Sequence, residues 1–424
     1  MTHPGHVAVI GASAGGLATV QALRQRGYDG KLTLIGDEAH LPYDRPPLSK
    51  QILSGRWAPE RLTLRSDVEI GALHLDLRLG ITAIGLDQTR REVLLSDETG
   101  VPYEVLVVAT GVHPRSVPLS GAETTRRVHT LRTLEDAQAL RARLRPGRRL
   151  VIAGAGLVGT EVAATARSLG VDVTLVEPAP MPLAHAVGRD VGRWLMEVHR
   201  AHGVDLLTAV AVTEVVLTSA GEVDQVVLSD GSVLSADDVL VAAGSQPNTQ
   251  WLVGSGLSLA DGLVCDEFSR AAPSIYGVGD VARWFNPLFG TSMRVEHRTN
   301  AAEQGLTVAH NILTPQAPRP FAPVPYFWTD QYDMTVQCYG FPRGHDECVV
   351  VDGDLVQGRF VVAYRTANRL AAVLTVGASP KTLRAWRAAI LARASWAEAL
   401  AGMWTAGKPE HPVAVTNASQ PEEL

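Results

Sequence analysis

The chain has 424 residues, of which 46% are apolar and 19% are charged, and this composition excludes a disordered or fibrous protein. Its 38 basic and 44 acidic side chains give a net charge of −6, so nothing in the charge balance indicates nucleic acid or an anionic membrane as a partner. No apolar run reaches the roughly eighteen residues that a membrane-spanning helix needs. The length predicts more than one domain.

The first predicted nucleotide-binding unit begins with a short buried strand at residues 7–10. The turn Gly11-Ala-Ser-Ala-Gly-Gly16 leads from it into a helix that ends near residue 26, and a second strand ends at Gly36-Asp37-Glu38. Strand, tight turn, helix and a second strand followed by an acid form the dinucleotide fingerprint. Ser13 stands where the second fingerprint glycine belongs, and so small a side chain still lets a pyrophosphate approach the backbone.

The same pattern returns 143 residues later, with a strand at 150–153, the turn Gly154-Ala-Gly-Leu-Val-Gly159, a helix through residue 169 and a strand ending at Glu177. The three glycines allow the tight turn, the approach of a pyrophosphate and the close packing of helix on strand. The helix N-terminus offers N–H groups to phosphates. Two such copies predict an α/β fold with two Rossmann-like, three-layer, dinucleotide-binding domains built on parallel sheets.

Three further buried strands end in small residues. The segments 106–111 and 240–244 each follow their own fingerprint by about a hundred residues and are interpreted as exit points from a nucleotide-binding domain. The third, 275–280, ends in Gly279-Asp280. The Asp280 carboxylate is suited to accept a hydrogen bond from a polyol such as a ribityl chain, and it is equally suited to cap a helix.

The cysteines indicate a reducing environment. Cys265, Cys338 and Cys348 are 73 and 10 residues apart, which matches no metal-ligand or redox spacing. An odd and sparse number of cysteines is typical of the cytoplasm. We therefore predict a cytoplasmic protein without a structural metal.

Four longer segments carry a resemblance to a known family: Tyr43-Asp-Arg-Pro-Pro-Leu-Ser-Lys50, Thr130-Leu-Arg-Thr-Leu-Glu-Asp136, Arg294-Val-Glu-His-Arg-Thr-Asn-Ala-Ala-Glu-Gln304 and Pro325-Tyr-Phe-Trp-Thr-Asp-Gln331. Together with the two fingerprints, the Ala-Thr-Gly exit and the Gly-Asp motif, they make residues 5 to 405 resemble the NADH-dependent ferredoxin reductases. These flavoproteins serve cytochromes P450 and aromatic-ring dioxygenases.

The resemblance implies a domain organisation. A discontinuous FAD domain is expected at 1–115 and 245–318, and an NAD domain at 116–244. A C-terminal α+β domain is expected at 319–405, followed by a flexible tail at 406–424.

The resemblance also assigns residues to the two cofactors. Those expected at FAD are Gly11, Ser13, Ala14, Gly16, Asp37 or Glu38, Arg45, Lys50, Arg132, Asp280 and Arg298, the last in place of an apolar residue of some relatives. Those expected at NADH are Gly154, Gly156, Leu157, Val158, Gly159, Glu161, Glu177 and Gly244. Adjacent strand-end residues point in opposite directions, so only one of Asp37 and Glu38 should face the ribose.

Glu177 predicts NADH rather than NADPH, because a carboxylate binds a ribose 2′-hydroxyl and repels a 2′-phosphate. The following segment 178–182 supplies no arginine to hold such a phosphate. Met181 and His185 occupy places where the family often carries arginine.

Three residues are expected to carry the chemistry. Lys50 is one of four lysines in a chain with 34 arginines, and the resemblance places it beside the isoalloxazine ring, paired with Glu161. A cation there would favour the anionic reduced flavin. A surface lysine and a helix-start glutamate are the alternative interpretation. Trp328 matches a tryptophan that lies near the flavin, and on pattern alone it is equally consistent with a core aromatic.

The route of the electrons follows from the cysteines. No cysteine precedes position 265, which excludes the dithiol route of glutathione-reductase relatives and the chemistry of single-cysteine NADH oxidases and peroxidases. The expected acceptor is a small ferredoxin with a 2Fe–2S or 3Fe–4S cluster that supplies a P450 or other oxygenase. The alternatives are a rubredoxin or nitrite-reductase-type NADH reductase and, from another class, an NADH-responsive flavoprotein of the apoptosis-inducing-factor type.

A reductase with a net charge of −6 needs a local basic patch to receive an acidic ferredoxin. The candidates are Arg294, Arg298, Lys381, Arg384 and Arg387. The last three have i, i+3 spacing on a predicted helix. A merely solvated helix face fits that spacing equally well.

Overall fold

The computed structural model describes residues 3–122, 125–403 and 414–415. Its helices are α1 (Ala14–Gln25), α2 (Asp67–Gly71), α3 (Leu134–Arg141), α4 (Leu157–Ser168), α5 (Ala184–Val187), α6 (Arg189–Ala201), α7 (Arg298–Leu313), α8 (Pro380–Leu391) and α9 (Trp396–Met403). A π-helical turn covers Leu48–Ile52, and 3-10 turns cover Pro59–Leu62, Gln250–Leu252 and Gly279–Val281.

The strands that lie before residue 230 are β1 (His6–Ile10), β2 (Lys31–Gly36), β3 (Asp76–Leu79), β4 (Ala83–Asp87), β5 (Glu92–Leu95), β6 (Gly100–Pro102), β7 (Val105–Val108), β8 (Val112–Pro114), β9 (Val128–His129), β10 (Arg149–Ala153), β11 (Asp172–Glu177), β12 (Asp205–Thr208), β13 (Val212–Leu217) and β14 (Val223–Leu228). The later strands are β15 (Val233–Ser235), β16 (Asp238–Val241), β17 (Ser245–Pro247), β18 (Leu263–Cys265), β19 (Arg270–Ala272), β20 (Ile275–Gly277), β21 (Ala282–Asn286), β22 (Thr291–Met293), β23 (Tyr326–Gln331), β24 (Met334–Gly340), β25 (Glu347–Asp354), β26 (Arg359–Thr366), β27 (Arg369–Val376) and β28 (Ala414–Val415).

The chain forms two compact units, and the first comprises Met1–Pro46, Ala58–His113 and Ser245–Pro323. Its main sheet has the order β19-β20-β7-β1-β2-β3, with β1 parallel to both β2 and β7. Helix α1 packs closely on α7 because Gly305 has no side chain: a Cβ there would lie 2.8 Å from the Gly15 carbonyl oxygen. Strand β1 leads directly into the first glycine-rich turn, as the fingerprint predicts.

The second unit comprises Pro47–Trp57, Pro114–Gly244 and Val324–Leu424. It contains a parallel sheet of order β12-β11-β10-β16-β9, in which β10 carries the second glycine-rich turn at its end. A small antiparallel sheet, β13-β14-β15, belongs to the same unit. Apolar side chains of β10 and of one face of α4, including Leu150, Ile152 and Val162, form the core between sheet and helix.

The C-terminal part of the second unit is an antiparallel sheet of order β23-β24-β27-β26-β25-β28 accompanied by α8 and α9. The predicted fold class, two Rossmann-like parallel sheets and a C-terminal α+β region, is thus confirmed. Most of the tail predicted at 406–424 lies outside the described residues. Ala414 and Val415, which the structure does describe, pair with Val349 and Cys348 of β25.

The segment Pro47–Trp57 belongs to the second compact unit, whereas the expected domain boundaries place it in the FAD domain. Hydrogen bonds between this segment and α4 explain the grouping. The Thr165 hydroxyl on α4, for example, donates to the Ser49 carbonyl at 2.8 Å. The assignment of whole domains to FAD and NADH stays a prediction. Among the described residues, no helix has the length and apolarity to cross a bilayer, and no cluster of acidic, histidine or cysteine side chains could hold a metal ion.

Candidate functional site

The first glycine-rich turn, in the first unit, is built around two positions that accept only glycine. Gly11 has φ +116°, and a Cβ on it would lie 2.1 Å from the Ala109 carbonyl oxygen. A Cβ on Gly16 would lie 1.9 Å from the Gly11 carbonyl oxygen. Helix α1 begins at Ala14 after Ser13, whose side chain makes no capping hydrogen bond. The N–H groups of its first turn lack intrahelical partners and can bind a phosphate.

The two acids after β2 differ in their surroundings. Asp37 is exposed, whereas the Glu38 carboxylate is partly buried and accepts hydrogen bonds from the Tyr43 hydroxyl and the Arg45 guanidinium, each at 2.5 Å. The two contacts orient Glu38. That Glu38 rather than Asp37 faces the ribose stays a prediction, as does the role of Arg45 at FAD.

Asp280 does not cap a helix. It lies within the 3-10 turn Gly279–Val281, whose N-cap is Val278, so the capping interpretation is wrong. Gln304 of α7 holds this turn by accepting a 2.9 Å hydrogen bond from the Gly279 N–H. The polyol-binding role of Asp280 stays a prediction.

Arginines expected near FAD, and Arg294 of the expected basic patch, have defined partners. The guanidinium of Arg298, the first residue of α7, binds the Asp44 carboxylate at 3.0 Å. The backbone N–H of Arg132 donates to the Asp136 carboxylate at 2.8 Å, beside the capping box that begins α3. Arg294 bridges the carboxylates of Asp261 and Glu296 and is mostly buried, so it does not contribute to a free basic patch.

The second glycine-rich turn, in the second unit, repeats the geometry and adds open space. Gly154 has φ +115°, and a Cβ on Gly159 would lie 2.1 Å from the Gly154 carbonyl oxygen. At Gly156, the N-cap of α4, and at Gly244 a Cβ would meet nothing within 4 Å. Leu157 and Val158 form the start of the helix. This bare helix N-terminus fits a pyrophosphate.

Glu177, at the end of β11, lies against the second turn. One carboxylate oxygen accepts the Ala155 N–H at 2.8 Å and the other accepts the Ala179 N–H at 3.0 Å. A carboxylate has about four acceptor positions, so two remain for a ribose diol. The residue therefore both shapes the turn and presents negative charge beside it.

The second unit also contains a buried ion pair. Lys50, in the π-helical turn Leu48–Ile52, places its ammonium 3.0 Å from the carboxylate of Glu161 on α4. Lys50 is 7% exposed and Glu161 is 6% exposed, which excludes a surface lysine and a solvent-exposed glutamate at the start of α4. Burial of an ion pair is costly unless further hydrogen bonds satisfy it. Ser49 and Thr329 provide them at 2.5 and 2.8 Å.

Strand β23 divides its side chains between two environments. Trp328 is partly exposed rather than a core residue, and it stacks on Tyr326 with ring centroids 5.9 Å apart. Thr329 and Gln331, two residues apart, are buried. Gln331 donates to Thr329 at 3.2 Å, and its amide oxygen accepts from Nε2 of His199, on α6, at 2.9 Å.

Sequence reasoning missed Ser49, Thr329, Gln331 and His199. Within the segment 325–331, the family resemblance points only to Trp328. The alternation of polar residues at positions 329 and 331 within an otherwise aromatic strand was the available signal, because side chains two apart share a face. Burial lowers the pKa of His199 to about 4, against the opposing effect of its hydrogen bond with Gln331.

Comparisons with known proteins agree with this architecture. The family model described as pyridine nucleotide-disulphide oxidoreductase matches residues 5–305, and the model described as reductase C-terminal matches residues 326–402. The chain is 35% identical over 375 residues to putidaredoxin reductase CamA of Pseudomonas putida, covering 88% of each chain. It is 36% identical over 375 residues to the ferredoxin–NAD(+) reductase subunit of a benzene 1,2-dioxygenase system from Pseudomonas putida, covering 88% of this chain and 89% of that one.

A solved structure shows the same fold. The covalent putidaredoxin reductase–putidaredoxin complex matches with a TM-score of 0.88 at 33% identity, covering 92% of this chain and 94% of that chain.

The buried His199 predicts a pH dependence of stability. Its folded pKa of about 4 lies below the ordinary value of 6.5, so between these values the unfolded chain binds a proton that the folded chain does not. Stability therefore falls as the pH drops, by about 2 kcal/mol from this histidine between pH 7 and pH 5.

His199→Gln should reduce the pH dependence of the unfolding free energy, measured by urea denaturation at both pH values. His74→Gln, at an exposed position of the first unit, is the control. An equal pH dependence in wild type and His199→Gln would contradict the assignment.

Proposed function

Because the chain belongs to the pyridine nucleotide-disulphide oxidoreductase family, and within it to the ferredoxin reductases, we propose that it is an FAD-dependent NADH:ferredoxin reductase. It takes reducing equivalents from NADH and delivers single electrons to a small iron–sulfur ferredoxin, which supplies a cytochrome P450 or another oxygenase. The observation that carries the proposal is the buried Lys50–Glu161 pair, formed where α4 leaves the second glycine-rich turn.

The cysteines support direct electron transfer from the flavin. Cys265, Cys338 and Cys348 are free and buried, and none precedes position 265. Burial raises the pKa of Cys265 to about 12 and that of Cys348 to about 11, so neither is a thiolate near neutral pH. A redox dithiol is therefore not available as the electron carrier. Free thiols also support our placement of the protein in the cytoplasm.

Some residues are proposed to bind the two nucleotides, and others to stabilise the negative charge that develops. FAD, when bound, accepts a hydride from NADH and gives up electrons singly. The first turn, with Glu38, binds FAD, and the second turn, with Glu177, binds NADH. Lys50 is held by Glu161 in one orientation and supplies positive charge where negative charge develops. We propose that Trp328 lines the route by which electrons leave.

Helix α8 is the best candidate for a ferredoxin-docking surface. Lys381, Arg384 and Arg387 are all exposed on it, and no ion pair of theirs occurs within the described parts of the chain. Arg294 and Arg298, by contrast, are engaged with acids of the first unit. We therefore restrict the proposed basic patch to the three residues of α8.

The first experiment tests the function and the patch together. FAD-loaded protein should oxidise NADH at a rate that depends on added 2Fe–2S ferredoxin, followed through cytochrome c reduction. Arg384→Glu should lower kcat/KM for the ferredoxin about fivefold at low ionic strength, and the loss should shrink as salt screens the charges.

The control is Arg126→Glu, which reverses an exposed charge that does not belong to α8. NADH oxidation that never depends on ferredoxin contradicts the function. Equal losses of kcat/KM in Arg384→Glu and Arg126→Glu would contradict the docking surface on α8 but not the proposed function.

Lys50→Met should slow reduction of the bound flavin by NADH about 100-fold, because one well-placed electrostatic contact is lost at the reacting centre. Glu161→Gln should act on the same step, and the double variant should be less than additive. Stopped-flow flavin reduction, with FAD content measured first, checks this. Lys31→Met removes a lysine whose side chain is 54% exposed and is the control. Wild-type reduction rates in FAD-loaded Lys50→Met would make the pair structural.

Glu177→Ala should narrow the preference for NADH over NADPH by about tenfold, because the charge that repels a 2′-phosphate is removed. The ratio of kcat/KM values for the two nucleotides measures it. Glu177→Gln removes the charge but keeps an acceptor for one backbone N–H. It therefore separates the effect of the lost charge from the effect of a changed turn geometry. Asp172→Ala, at the exposed start of β11, is the matched control. An unchanged ratio in both Glu177 variants would show that another residue selects the nucleotide.

A further inference from the structure

The Glu161 carboxylate depends on donors from two separate parts of the chain. Lys50 and Ser49 come from the π-helical turn, and Thr329 comes from β23. The Thr329 side chain is 1% exposed, so no solvent can replace its hydroxyl. A hydroxyl has one proton, and in Thr329 that proton is committed to Glu161. Its lone pairs must therefore accept any further hydrogen bond.

Gln331 supplies that further bond. Its amide nitrogen donates to Thr329 at 3.2 Å and to Thr160 at 2.9 Å. The Thr160 hydroxyl in turn donates to the carbonyl of Gly156, in the second glycine-rich turn, at 3.0 Å. Both amide protons of Gln331 are thus used, and both acceptors have committed their own protons elsewhere. The amide cannot flip without placing its oxygen against two hydroxyl oxygens.

His199 completes the chain behind Gln331. The Gln331 amide oxygen faces His199 Nε2 at 2.9 Å, so Nε2 donates and Nδ1 is left as an acceptor. The Tyr332 hydroxyl donates to Nδ1, with an oxygen–nitrogen distance of 2.8 Å. Every donor in the series from Tyr332 to Glu161 points toward the carboxylate. Tyr332 has φ +55° in the two-residue turn between β23 and β24, a conformation that non-glycine residues adopt at a cost.

We propose that Thr329 and Gln331 are positioning residues for the reduction of the flavin. They hold the Glu161 carboxylate, and through it the Lys50 ammonium, in a single orientation. Gln331 also bonds Thr160, so the same amide ties the ion pair to the turn that receives the NADH pyrophosphate. The inference rests on the proposed function and assigns roles to two residues that are each 1% exposed.

The test removes one hydroxyl without changing side-chain shape. Thr329→Val should lower the limiting rate of flavin reduction by NADH about tenfold, at the low end of the value of a hydrogen bond to a charged group. The NADH dissociation constant from the same stopped-flow series should stay within about twofold, because the binding turn is intact. Thr329→Ser restores the hydroxyl and should recover the rate. Gln331→Leu should slow the same step.

Thr375→Val is the matched control. Thr375 lies on β27 of the same sheet, is also 1% exposed, and its hydroxyl oxygen has no hydrogen-bond partner among the described residues. Its replacement should leave the limiting rate unchanged. A loss in Thr375→Val as large as in Thr329→Val would mean that any buried threonine of this sheet matters, and would overturn the proposal.

A double-mutant cycle separates positioning from general stability. In a Glu161→Gln background, Thr329→Val should add little, because the carboxylate that it orients is gone. Full additivity, or a wild-type limiting rate in Thr329→Val, would overturn the inference while leaving the proposed function in place. Wild-type protein that carries FAD but is not reduced by NADH would instead overturn the proposed function itself.

Discussion

The constraint on which the second unit depends is the burial of one carboxylate. Glu161 is almost inaccessible to water, and a charge in that position must be compensated by the protein. The donors that compensate this charge come from the π-helical turn around Lys50 and from strand β23, and both contact the start of α4. These pieces are more than a hundred residues apart in the chain. Their grouping also explains why the segment Pro47–Trp57 belongs with the second unit by its contacts.

The sequence predicted the parts of the fold that local chemistry determines. Strands β1 and β10 and the C-terminal ends of helices α1 and α4 lie within one residue of their expected boundaries, because glycine spacing and apolar runs are local signals. Both helices begin three residues earlier than expected, inside the glycine-rich segments. The pairing of Lys50 with Glu161 came from family resemblance, since no periodicity relates residues 111 positions apart.

What the sequence could not predict were the partners of polar groups. Glu177 was expected to serve only a ribose, yet it also holds the backbone of the turn through Ala155. Asp280 was as consistent with a helix cap as with a ligand, and only the three-residue turn around it decided against the cap. Arg294 was expected to be a docking cation, yet it is engaged by Glu296, two positions away, and by Asp261, which folding brings close.

The burial of all three thiols has a consequence for durability. Proteins that handle reducing equivalents near dioxygen encounter peroxide, and exposed low-pKa cysteines are its first targets. Here the thiols lie in sheet cores, where burial raises the pKa of Cys348 and of Cys265 and keeps both protonated. Sulfenic acid formation needs the thiolate, so these side chains are poor substrates for it. The cysteines of this fold are therefore expected to react slowly with peroxide and with alkylating reagents.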